Sequence, residues 1–121
     1  MIELSLIGID GASPNVLKEI LREGYTPTLE KLVTRGVYCT LRSTLPPVTG
    51  AAWLSLATGL NPGKTGVIDF LKLDEQYVLN SVSSYDYRDK ALWDLTSTLG
   101  FKVAVLDYPT LYPAYPINGV M

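Results

Sequence analysis

The 121-residue sequence contains no histidine at all and a single cysteine, Cys39. One thiol excludes an internal disulfide, and its place in an apolar run suits a reducing, cytoplasmic compartment. No basic block is present either. Ten Lys and Arg face twelve Asp and Glu, a net charge of −2, which disfavours nucleic acid as an electrostatic partner. Long apolar runs are also missing. The opening MIELSLIGIDG lacks a basic leader, and its apolar stretch is too short for a signal peptide or a spanning helix, so no membrane partner is expected. There is no internal repeat and no low-complexity tract. What the chain does have is 47% hydrophobic against 18% charged residues, the balance of a globular, core-forming protein. At this length it is one domain or less, able to bury roughly two-thirds of its unfolded surface.

Along the chain, strand and helix signals alternate. Residues 2–9, IELSLIGI, are apolar almost throughout and bounded by Asp10-Gly11, which predicts a strand buried on both faces. In SPNVLKEILREG, Ser13 can cap a helix, Pro14 fits its first position and Gly24 can end it. Val16, Leu17, Ile20 and Leu21 form one stripe. TPTLEKLVTRG repeats the grammar, with Thr26 as cap, Leu29, Leu32 and Val33 inward and Gly36 as the stop. Residues 37–43, VYCTLRS, read as a strand. After Pro46-Pro47 a helix of small and apolar residues starts at once behind Val48 and Thr49, and NPGKTGVIDF is a loop. QYVLNSV is a short strand, DKALWDLTSTLG a helix ending at Gly100, and FKVAVLDY a further strand. The Pro- and Tyr-rich tail is irregular, its tyrosines serving packing and surface. Such alternation predicts an α/β layer architecture, with helices flanking a largely parallel sheet.

Ligands collect beyond the carboxyl ends of strands in such sheets, and two polar residues fall there. Asp10 follows the first strand, and Thr49 opens a helix soon after the second. The first turn of a helix carries unpaired N–H groups and the positive end of the dipole, so it holds an anion such as phosphate. Gly50 and Ala51 leave that approach open. A threonine hydroxyl there lies in line to attack the anion, and a nearby metal would raise its nucleophilicity. Asp10, an oxygen donor, suits part of a metal site. The ordinary structural roles are just as definite: Thr49 as a helix cap, Asp10-Gly11 as a turn. Lys64 in NPGKTG does not complete a phosphate-binding P-loop, because the required earlier glycine does not follow a strand.

Taken together, IGIDGASPNVLKEIL, TPTLEKLVTRG, STLPPVTGAAWLSLATGLNPGKTGVIDF and ALWDL with GFKVAVLDYPTLYPAYPINGVM resemble the type I phosphodiesterase/nucleotide pyrophosphatase family of the alkaline phosphatase superfamily. The resemblance runs in order over nearly the whole chain, and residues 44–70 are its specific part. It implies an alkaline-phosphatase-like fold, a phosphate-ester small-molecule substrate, and Thr49 as catalytic nucleophile that forms a phospho-threonine intermediate. It also implies two zinc ions, with Asp10 and Thr49 both ligands of one of them, and phosphate against Thr49 and Gly50.

Three departures from the family pattern qualify what carries over. Thr65 stands where the family's GKHG-like turn has histidine. Phe70 stands 21 positions after Thr49, where nucleotide pyrophosphatases carry a phosphate-contacting asparagine. The family's remaining metal ligands, Asp and His residues, lie downstream of the positions matched here. The chain is therefore expected to be an inactive N-terminal part of a longer enzyme, with an incomplete fold that self-associates through uncovered surface. The alternatives are a non-catalytic α/β anion-binding or interaction module with a degenerate site, and a phosphomutase of the same superfamily. A sulfatase is disfavoured, since that chemistry needs a modified Cys or Ser where Thr49 stands.

Overall fold

The structure is a computed structural model that describes residues 4–121. The chain divides into two compact units, Met1–Arg42 and Ser43–Met121.

The first unit is built on two helices that contact each other, α1 (Pro14–Arg22) and α2 (Pro27–Arg35). Ser13 caps α1 as its sequence predicts, its Oγ accepting from the Val16 N–H at 3.4 Å, with Pro14 next. The helix ends by a left-handed glycine. Gly24 has φ 72°, its N–H donates to the Leu21 carbonyl, and the Tyr25 N–H reaches back to Ile20. Leu17, Ile20 and Leu21 of the expected stripe are half-buried, as are Leu29 and Val33 of α2; Val16 and Leu32 are exposed. Thr26 sits at the cap position of α2 but its hydroxyl does not cap. With ψ near 69° it is off the extended conformation that aims a capping oxygen back at the helix, and its Oγ1 is buried without a partner.

Two expected strands are absent from this unit. Residues 4–9 and 37–43 carry no ladder hydrogen bonds, and residues 2 and 3 lie outside the described part. Leu4, Leu6, Ile7 and Ile9 are exposed rather than buried, and Val37 is 94% exposed. A strand is defined by its neighbour, and among the described residues neither segment has one.

The second unit opens with α3 (Thr49–Thr58), which runs into the αL residue Gly59. Where a loop was expected, α4 (Pro62–Thr65) forms one turn. Asn61 caps it through the Lys64 N–H at 3.0 Å, and Gly66 closes it at φ 72°. An antiparallel hairpin follows, β1 (Leu71–Leu73) with β2 (Leu79–Ser81), in register Leu71 to Ser81. Its turn is organised by Asp74, whose carboxylate accepts from the Gln76 and Val78 N–H groups and from Asn80. After a 3₁₀ turn at Ser84–Asp86 comes α5 (Leu92–Thr98), ended by Gly100 at φ 86°.

The last strand pair is parallel, β3 (Val103–Ala104) with β4 (Gly119–Val120), and β4 lies in the tail that reads as irregular. The described residues thus form mixed helices with two two-stranded ladders, one antiparallel and one parallel, in place of the expected largely parallel sheet. This is the content of a partial α/β domain.

The core of this unit gathers Leu54 and Ala57 of α3, Val67, Val82, Tyr87, Ala91, Trp93 of α5, Val105 and Tyr115. Of the two tail tyrosines Tyr115 packs and Tyr112 is exposed, and Tyr108 of the preceding FKVAVLDY segment packs as well. Tyr108 stacks edge-on against both Trp53 and Trp93, and its hydroxyl donates to the Trp53 carbonyl at 2.6 Å. Tyr115 accepts from the Trp93 indole N–H at 2.7 Å and donates to Asp94 at 2.8 Å. Asp94 also accepts from the Ala91 N–H at 2.9 Å, so this buried carboxylate is well satisfied. Burial pushes the Tyr108 and Tyr115 phenols well above the usual range, so both stay neutral donors.

Candidate active site

The chain reaches α3 through a fixed turn, in which the Thr44 hydroxyl donates to the Pro46 carbonyl at 2.8 Å. Val48, extended at φ −112° and ψ 150°, is the actual cap residue, and its carbonyl accepts from the Ala52 N–H at 2.9 Å. Thr49 is therefore the first residue of the helix and not its cap, a shift of one position from the sequence expectation. The consequence is chemical. No hydrogen bond among the described residues occupies the Thr49 hydroxyl, which sits half-buried on the first turn. The N–H groups of Thr49, Gly50 and Ala51 precede the first intrahelical bond and point out of the helix start, at the positive end of its dipole. A free hydroxyl and a set of free N–H donors share one turn.

Gly50 and Ala51 are both buried, so the floor under that turn is packed. At Gly50 the fit is close. A Cβ there would stand 2.8 Å from the Asp69 carbonyl carbon and 2.9 Å from the Phe70 nitrogen, both backbone atoms. The small residue is needed so that the 69–70 peptide can lie against the first turn of the helix. Sequence reasoning missed this neighbour. The Gly-Ala-Ala run signals that something approaches closely, but its identity depends on α4 and Gly66 bringing the chain back.

Asp10 lies in the first unit, exposed, in the turn that leads to α1; Gly11 takes φ 71° and its carbonyl accepts from the Ser13 N–H at 2.9 Å. Thr49 and Gly50 are brought together on one turn, and Asp10 belongs to the other unit. Among the described residues no group of three or more His, Cys, Asp or Glu side chains is placed to hold a metal. Lys64 is exposed on the single turn of α4. No helix of the described residues is long and apolar enough to cross a membrane.

Comparison with known proteins adds one finding. No curated protein and no solved structure matches the chain. The family described as type I phosphodiesterase / nucleotide pyrophosphatase matches residues 4–120, a span that holds Asp10, Thr49, Gly50 and the 69–70 crossing alike. On that match over nearly its whole length, the chain belongs to the type I phosphodiesterase / nucleotide pyrophosphatase family.

Proposed function

We propose that this chain carries the nucleophile-bearing part of a phosphate-ester hydrolase site, with Thr49 as nucleophile. The observation that supports it is the unused Thr49 hydroxyl on a helix start whose N–H groups are free, within a chain of a hydrolase family. In the proposed reaction the Thr49 Oγ attacks phosphorus and gives up its proton to solvent. The bond from phosphorus to the ester oxygen breaks, and that oxygen leaves with the electron pair. The departing oxygen takes up a proton from solvent; water then attacks phosphorus, the bond to the Thr49 Oγ breaks, and that oxygen is reprotonated as phosphate leaves. The N–H groups at Gly50 and Ala51 would hold the phosphoryl oxygens as charge builds on them.

The proposal extends to metal. Asp10 and Thr49 offer oxygen donors of the kind zinc accepts, and a site of two zinc ions in the working enzyme agrees with that donor chemistry. Bound zinc would supply the positive charge that makes a threonine alkoxide accessible near neutral pH. Two oxygens do not fill a four-ligand sphere, and the 121 residues include no histidine, so this chain alone is proposed to be catalytically silent. It would be the N-terminal part of a single alkaline-phosphatase-like catalytic domain with a largely parallel sheet. The exposed apolar segments 4–9 and 37–43 support this, since they would pair and become covered in such a domain.

The test compares Thr49→Ala and Thr49→Ser in the full native gene product. As nucleophile, Thr49→Ala loses hydrolysis of a nitrophenyl phosphate ester by orders of magnitude with an unchanged melting curve, and Thr49→Ser keeps much of it. Mass spectrometry of protein quenched during turnover should find phosphate on the Thr49 peptide. Near-normal turnover of the folded Ala variant sinks the assignment. The 121-residue chain should show no zinc-dependent, chelator-sensitive hydrolysis, and turnover that vanishes with Thr49→Ala would refute its silence.

A further inference from the structure

Resting on the reading of Thr49 as the phosphate-facing residue, we infer that Phe70 selects the ester, favouring a phosphate whose organic group is aromatic or broadly apolar over one that is small. The argument starts at Gly50. Its absent side chain lets the Asp69–Phe70 peptide lie on the first turn of α3, with the Phe70 nitrogen 2.9 Å from where a Cβ would be. Residue 70 is thereby a neighbour of the turn that carries the free N–H groups and the Thr49 hydroxyl.

Its backbone is held on both sides. The Phe70 carbonyl accepts from the Val82 N–H at 2.8 Å, which ties it to the end of the β1–β2 hairpin. The Phe70 N–H donates to Asp69 Oδ1, also at 2.8 Å. Both polar groups of the Phe70 backbone are thus in use, and what this position offers a bound ester is the ring.

The ring is not part of the core. It is 45% exposed, it is not a member of the cluster around Leu54 and Trp93, and among the described residues it stacks on no other aromatic ring. Trp53 on that helix is by contrast packed edge-on against Tyr108. An exposed ring on a backbone fixed beside an anion-binding turn gains by being covered, and an ester arm that is itself apolar covers it. A methyl arm removes little of that surface from water, while a phenyl arm removes much of it and can stack.

The test is an NMR titration of the 121-residue chain, following the Thr49, Gly50 and Ala51 amides with inorganic phosphate, methyl phosphate and phenyl phosphate. Wild type should bind phenyl phosphate on the order of five- to tenfold more tightly than methyl phosphate. Phe70→Ala should remove that preference while leaving the inorganic phosphate affinity unchanged, and Phe70→Leu should keep part of it. Matching amide spectra away from residue 70 establish that the variants are folded, with Phe70→Leu as the more conservative of the two. Equal binding of the two esters by wild type, or a preference that survives in Phe70→Ala, overturns the role of Phe70 and leaves the phosphate reading of α3 standing. Amides that respond to none of the three ligands overturn that reading, and the selection by Phe70 with it.

Discussion

At Gly50 one hydrogen in place of a side chain decides whether two segments of the second unit can meet. The atoms a Cβ would strike, the Asp69 carbonyl carbon and the Phe70 nitrogen, are backbone, so no side-chain rotation relieves the collision. Gly50→Ala, elsewhere a helix-favouring change, should therefore destabilise the chain by about 1–3 kcal/mol. A urea titration would read this as a lower midpoint, and a midpoint equal to or above wild type would contradict the packing. Thr49 beside it shows the limit of reading single residues. A threonine after Pro-Pro and before a helix reads as a cap, and nothing in the residue types says that Val48 takes that role. The one-position shift comes from backbone dihedrals, and it is what leaves the Thr49 hydroxyl without a structural task. Thr26 is the reverse case, a residue at a cap position whose hydroxyl finds no partner.

The helices are the elements the sequence announces most clearly. A capping serine, a proline at the first position, one apolar stripe and a terminal glycine are local signals; α1 follows the serine, the proline and the glycine, and of its stripe Leu17, Ile20 and Leu21 are half-buried while Val16 is exposed. The end of α5 at Gly100 is equally local. What links α5 to the tail is not. Tyr115, 21 residues beyond Asp94, donates to its buried carboxylate and accepts from the Trp93 indole, so one hydroxyl serves two groups on a distant helix. Tyr115→Phe keeps the ring and its packing but leaves both partners short of a hydrogen bond. The expected cost is about 1–3 kcal/mol, since a buried carboxylate loses a donor. Thermal unfolding should show a lowered midpoint, and an unchanged one would mean that water replaces the hydroxyl without loss. Short β elements are the least legible. β1 and β4 carry no strand signature of their own; β1 exists because the Asp74 turn folds it onto β2, and β4 because β3 lies alongside.

For the whole molecule the balance of apolar surface matters most. Leu4, Ile7, Ile9, Val37 and Leu41 in the first unit, and Leu71, Leu73 and Leu79 in the second, are large, apolar and exposed. Surface of this kind drives association in water. The isolated chain is expected to self-associate as its concentration rises, seen as a growing sedimentation coefficient and as binding of an apolar dye. A single monomer species over the full range, with no dye binding, would contradict it. The sequence by itself determined α1, α2, α3 and α5, the family membership and the residues proposed for chemistry, because caps, stripes and motif spacing are written in neighbouring positions. It also marked segments 2–9 and 37–43 as strand-like in composition. Only tertiary structure decided whether they become strands, because a ladder needs a second backbone at hydrogen-bonding distance and no residue type supplies one. It also decided that the 69–70 peptide lies on the first turn of α3, since that contact joins positions about twenty residues apart through a helix turn and a glycine that sequence neighbours do not specify.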